Sequence, residues 1–134
     1  MTTRKIAFVT DDGQTISKHF GRAPYYQVLT VEGERVLAGE QRAKPGHQTF
    51  AQGGRAHSHE HEHGFGAAAQ DKHNRMIDVI ADCEALIAGG MGRGAYLSLQ
   101  EAGITAIITD LDDIGEAAAA YLRGELENRL DKLH

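Results

Sequence analysis

Cysteine is nearly absent: Cys83 is the only one in 134 residues. A lone thiol excludes an intramolecular disulfide framework and a four-cysteine zinc site. Tryptophan is missing and aromatic residues make up only 6% of the chain. Lys and Arg are scattered with no basic run, and the net charge is −5, which excludes an electrostatic surface for nucleic acid. No apolar run approaches a membrane span, and the run in MTTRKIAFVT is too short for a signal peptide. The expectation is a soluble, reduced, cytoplasmic protein. What is present suits one domain: 41% hydrophobic residues provide for one modest core.

KIAFVT (5–10) is a short run of β-formers, apolar on both faces, as in a buried central strand. Asp11-Asp12-Gly13 is a turn signal. YYQVLTV (25–31) and RVLAGEQ (35–41) flank Glu32-Gly33-Glu34 and predict an antiparallel hairpin turning at Gly33. From Ala43 to about Gln70 the periodicity stops, giving way to glycines and most of the histidines. A loop of this length in a small domain is functional or disordered. We expect it to be flexible.

Periodicity returns at 71–82, where Met76, Ile77 and Ile80 share a helical face. EALIAG (84–89) and ITAIIT (104–109) predict two further strands. GGMGRGAYLSLQEAG (89–103) predicts a glycine turn opening a helix that ends at Gly103. Asp112 or Asp113 can cap a last helix, whose stripe of Ile114, Ala117, Ala118, Tyr121 and Leu122 continues weakly through Leu126, Leu130 and Leu133. Alternating strands and helices in the second half imply parallel strands with helices packed on the sheet. The predicted architecture is α/β: one domain over 1–134, with a five-stranded mixed sheet, an antiparallel hairpin and helices packed on it.

Four features could carry chemistry. In HSHEHEH (57–63), an extended chain would align His57, His59, His61 and His63, while a helix would pair them at i, i+4. Either conformation lets at least two imidazoles meet a zinc, nickel, copper or iron ion. The competing reading is a solvated, adventitious chelator. In SKHFGRAPYY (17–26), His19 could ligate a metal and Arg22 could hold an anion, with Gly21 allowing a turn or close approach. The alternative is a capped loop with a hydrogen-bonded imidazole. In GGMGRGA (89–95), amides at the start of the predicted helix favour anions, and Met91 offers a soft contact. The loop has neither a Walker A lysine nor GxGxxG spacing, so a plain strand-to-helix turn is the competing reading. The aspartates Asp11, Asp12, Asp110, Asp112 and Asp113 sit at predicted strand ends, where magnesium could gather them; turn and cap duties explain them more simply. Cys83 reads as a buried small hydrophobe. No serine sits in a GxSxG elbow, so a hydrolase triad has no support.

ISKHFGRAPYYQVLTVE, CEALIAGGMGRGAYLSLQEAGITAIIT and DDIGEAAAAYLRGEL occur in that order and spacing. Together they resemble the dinitrogenase iron–molybdenum cofactor biosynthesis family over roughly 1–43 and 71–126. The resemblance implies an RNase H-like fold and a non-catalytic, nitrogen-fixation type of role. Such a protein carries an iron–sulfur-type cluster or iron–molybdenum cofactor precursor between donor and acceptor proteins. It implies a site of His19, Phe20, Gly21 and Arg22 facing Gly90, Met91, Gly92 and Gly94, with His19 a metal ligand. A cluster with its own sulfides could be held there by one imidazole and electrostatics, since four thiolates are lacking. His57, His59, His61 and His63 could add ligands over its mouth. The alternative function is zinc or nickel binding by that tract alone. A magnesium-dependent nuclease ranks last, because the acidic balance fits a nucleic-acid substrate poorly.

Overall fold

Arg4–Thr10 forms strand β1, and its last five residues are buried. Two neighbours, one on each side, account for this. Antiparallel β2 (Tyr25–Glu32) pairs along its whole length, and parallel β4 (Ala85–Ala88) pairs through Ile6, Ala7 and Phe8. The computed structural model describes residues 2–44 and 75–133. β3 (Arg35–Ala43) lies outside β2, and β5 (Thr105–Ile108) runs parallel to β4. The sheet order is therefore β3-β2-β1-β4-β5. This is the expected five-stranded mixed sheet with its antiparallel hairpin at one edge.

Period-2 alternation sends the strand side chains to two cores. Ala7, Val9, Tyr26, Val28, Leu86, Ala88, Ala106 and Ile108 face one side. There they meet Met76, Ile77 and Ile80, together with Ala95 and Leu99 of helix α1 (Arg93–Glu101). Ile6, Phe8, Val31, Ala85, Ile87 and Ile107 face the other side, under Ile114, Ala117 and Ala118 of helix α2 (Ile114–Leu122). Helices cover both faces, as buried parallel strands require.

The local signals act as expected. Gly33 turns the hairpin at φ 61° and Gly103 ends α1 at φ 81°, conformations that a side chain disfavours. Of the two candidate caps for α2, Asp113 is the one used: its carboxylate accepts from the Glu116 amide at 2.9 Å. Residues 75–78 are helical and the chain then turns through 82; residues 71–74 lie outside the described residues, as does the loop expected at about 43–70 except for its first two positions, where Ala43 ends β3 and Lys44 is buried.

One expectation is corrected. The leucine stripe past Leu122 does not continue the helix. Arg123 caps α2 and Gly124 takes φ 74°, so the chain leaves in an irregular path and makes a short 3₁₀ turn at Leu130–Lys132. Leu126 and Leu133 still pack against core residues, from opposite faces of the sheet. Their spacing reports burial without reporting helix.

Candidate cofactor-binding site

β1 ends at Thr10, and the turn after it is knitted by Asp12. Its carboxylate accepts from the Gln14 amide at 2.9 Å and the Thr15 amide at 2.8 Å. These bonds favour the charged form and hold the acid at about 2, below its ordinary 3.8. The chain then folds back over the carboxyl ends of the central strands. Ser17 donates its amide to Val9 at 2.8 Å, and its carbonyl accepts from Gly89 at 2.8 Å.

The next residues form one tight turn. The His19 amide donates to Ser17 Oγ at 3.1 Å, and the His19 carbonyl accepts from both Arg22 and Ala23 at 3.1 Å. Phe20 and Ala23 are buried, while His19, Gly21 and Arg22 are exposed. The turn is thus pinned by apolar side chains below and presents an imidazole and a guanidinium above. A Cβ on Gly21 would meet nothing within 4 Å, and φ there is not positive. Neither a left-handed turn nor a close approach requires glycine at that position.

The second segment lies directly against the first. The Phe20 amide donates to the Gly90 carbonyl at 3.1 Å. A Cβ on Gly89 would stand 3.1 Å from Lys18 Cα, Lys18 Cγ and the Ser17 carbonyl, so this glycine is what permits the approach. Gly90 is buried, Gly92 is the N-cap of α1, and Gly94 is exposed within its first turn. No side chain caps α1 and no acid lies in its first turn. Its first amides therefore leave a partial positive charge beside exposed Arg93. Met91 is only 1% exposed and its side chain joins the core.

Lys44 is the residue that sequence reasoning missed. It is fully buried under the His19 turn. Its ammonium donates to the Phe20 carbonyl and lies 4.4 Å from the centre of the Phe20 ring and 5.4 Å from that of Tyr26. Cation–aromatic attraction and a charge-assisted hydrogen bond together brace the turn. Only the hairpin register could have found it: Ala43 pairs with Tyr25, which carries Lys44 back to donate its amide to Pro24 at 3.0 Å.

The remaining candidates do not join this site. Asp110 pairs with Arg129, Asp112 lies 3.9 Å from Lys18, and Asp113 caps α2. Among the described residues no group of three or more His, Cys, Asp or Glu could hold a metal ion. His19 is the one histidine among them, and His57, His59, His61 and His63 lie outside. Cys83 precedes β4, at the opposite end of that strand from the glycine loop. Burial, reinforced by the Asp82 charge, pushes its thiol up to about 12, so thiolate ligation at neutral pH is disfavoured. A groove of about 570 Å³ between α2 and the hairpin, lined in part by Leu29, Val36, Ile114 and Ala118, shares no residue with the His19 turn or the glycine loop. Among the described residues no helix is long and apolar enough to cross a membrane.

Solved structures share this fold. The protein PH0822 is 23% identical with a TM-score of 0.66, covering 95% of this chain and 96% of its own. The apo form of the orange protein from Desulfovibrio gigas is 21% identical with a TM-score of 0.66, covering 95% and 93%. A Methanocaldococcus jannaschii protein provisionally described as a dinitrogenase is 15% identical with a TM-score of 0.61, covering 97% and 98%. Among curated proteins, none matches the sequence. The model of the dinitrogenase iron–molybdenum cofactor family matches residues 3–124, a span that includes the His19 turn, the glycine loop and all five strands, and the chain belongs to that family.

Proposed function

We propose that the protein binds and carries an anionic iron–sulfur-type cofactor, or a precursor of the iron–molybdenum cofactor, and performs no catalysis on it. The observation that carries the reading is the hydrogen bond from Phe20 to the Gly90 carbonyl at 3.1 Å, which fastens the His19 turn to the glycine loop. Two segments seventy residues apart become one surface at the carboxyl ends of β1 and β4, where ligands of open α/β sheets gather. Family membership supports a cofactor-related role. The strand order, with β2 antiparallel to its neighbours, supports an RNase H-like assignment of the fold.

The donor set fits a cargo that brings its own sulfides. His19 offers one exposed imidazole, and Cys83 is buried at the opposite end of β4 from the glycine loop. Arg22, Arg93 and the uncapped amides of α1 supply positive potential for a negatively charged cluster. Exposure of His19 and Arg22 suits exchange with donor and acceptor proteins.

The test is protein purified without oxygen and without metal-affinity resin, analysed for iron, acid-labile sulfide and visible absorption. Wild type is expected to carry a brown chromophore with iron and sulfide. His19→Ala is expected to lose most of it while keeping its circular dichroism and unfolding midpoint, because the side chain it removes is exposed. Equal cluster retention in the variant would remove His19 from the site. Wild type holding zinc or nickel without sulfide would replace this reading with simple metal binding by the histidine tract.

A further inference from the structure

Residues 125–133 lie beyond the stretch matched by the family, 3–124, yet they reach the site. The Asn128 side chain behaves like a neighbouring strand. It accepts from the Ile108 amide at 3.0 Å and donates to the Ala106 carbonyl at 3.1 Å. Arg129 donates its amide to the Ile108 carbonyl at 2.7 Å, and its guanidinium pairs with Asp110 and, at 3.3 Å, with Asp131. The chain then turns at Leu130–Lys132 and Leu133 pairs in parallel with Met91, between buried Gly90 and the N-cap Gly92. Leu133 packs on the same core that holds the Met91 side chain.

We infer that residues 125–133 form a strap across the glycine loop, positioned by Asn128, and that its lifting governs access to the Met91 thioether. The hold is local. Asn128, one backbone bond, a surface ion pair, the pairing of Leu133 with Met91 and the partly buried Leu126 and Leu133 fasten the strap to the edge strand β5, whereas β1, β2 and β4 are bonded on both sides. Such short, partly exposed contacts open without global unfolding. A lifted strap bares a soft sulfur beside the uncapped start of α1, a suitable contact for a sulfur-rich cluster. That the cluster meets Met91 rests on the proposed function; the shielding of Met91 by the strap does not.

Hydrogen peroxide tests the strap with no cofactor present. It transfers one oxygen atom to an accessible thioether and leaves as water, giving a methionine sulfoxide that peptide mass spectrometry locates. Met76 is an internal control: it is also 1% exposed and lies in the helical turn at 75–78, outside the strap. In Asn128→Ala, and in a chain truncated after Gly124, Met91 is expected to oxidise about tenfold faster while Met76 stays protected, the change that losing one or two hydrogen bonds makes in an opening equilibrium. Unchanged protection of Met91 in both variants overturns the inference. So does a parallel rise at Met91 and Met76, which assigns 125–133 to general stability. Aggregation of the truncated chain with Met91 still protected also overturns it, leaving the segment as a cover for the β5 edge. Retention of iron and sulfide by the same variants reads the cargo separately, so failure of the strap and failure of the carrier reading are distinguishable.

Discussion

Asp12 shows how a single side chain holds the approach to the site. Its carboxylate collects two backbone amides and the Thr15 hydroxyl, which fixes the turn from which residues 16–20 cross the strand ends. The folded protein binds a proton there only near pH 2, whereas an unfolded chain binds one near 3.8. Between those values the unfolded state holds more protons, so stability falls as pH falls through this window and is fully present above it. Asp12→Asn keeps an acceptor oxygen but cannot titrate. Urea midpoints measured from about pH 5 to pH 2 should therefore fall less steeply for the variant than for wild type. A second acid, Asp82, is also held well below the usual carboxylate range by hydrogen bonds from Arg42, and its contribution is common to both proteins. Identical slopes would mean that the Asp12 bonds do not favour its charged form over its neutral one. The turn and cap duties of Asp12 and Asp113 were legible in the sequence, because Asx geometry is local. The burial of Lys44 was not, since it depends on a partner twenty-four residues away.

Among the elements, the contact between the His19 turn and the glycine loop depends on Gly89. A Cβ there would press on the backbone of Ser17 and Lys18 at 3.1 Å, and backbone yields less readily than a side-chain tip. Gly89→Ala should cost about 1–3 kcal/mol, the usual price of overpacking, and should loosen the Phe20–Gly90 hydrogen bond. Chemical denaturation gives the first quantity and amide exchange at Phe20 the second. A variant as stable as wild type, with Phe20 equally protected, would show that the two segments have room to separate. The five strands were legible because each is a short β-forming run bounded by turn residues. The hairpin register was not. A bulge between Thr30 and Val31 shifts the pairing by one residue, from Val31↔Val36 to Thr30↔Ala38, and so decides that Ala43, not Arg42, faces Tyr25. The leucine spacing beyond Leu122 misled for a related reason: a strap lying across a sheet edge buries residues at intervals that mimic a helix, while Gly124 marks the true stop.

For the whole molecule, the question is whether the chain has one metal function or two. The described residues supply His19 alone as an imidazole and contain no group of three or more ligating side chains. A divalent ion bound tightly by several side chains would thus have to draw on residues outside them, and His57, His59, His61 and His63 are the densest group there. The two sites call for different chemistry. A tract of imidazoles takes zinc or nickel according to intrinsic affinity, whereas a single imidazole with a helix start and arginines suits a preformed anionic cluster. Deleting residues 57–63 should therefore abolish zinc and nickel binding in calorimetric titration while leaving iron and sulfide retention at the His19 site intact, and His19→Ala should do the reverse. Unchanged zinc and nickel affinity after the deletion would end the separate metal-binding role for the tract. Loss of iron and sulfide together with zinc would mean that the tract closes over the same cargo, so that the histidines and the His19 turn belong to one site.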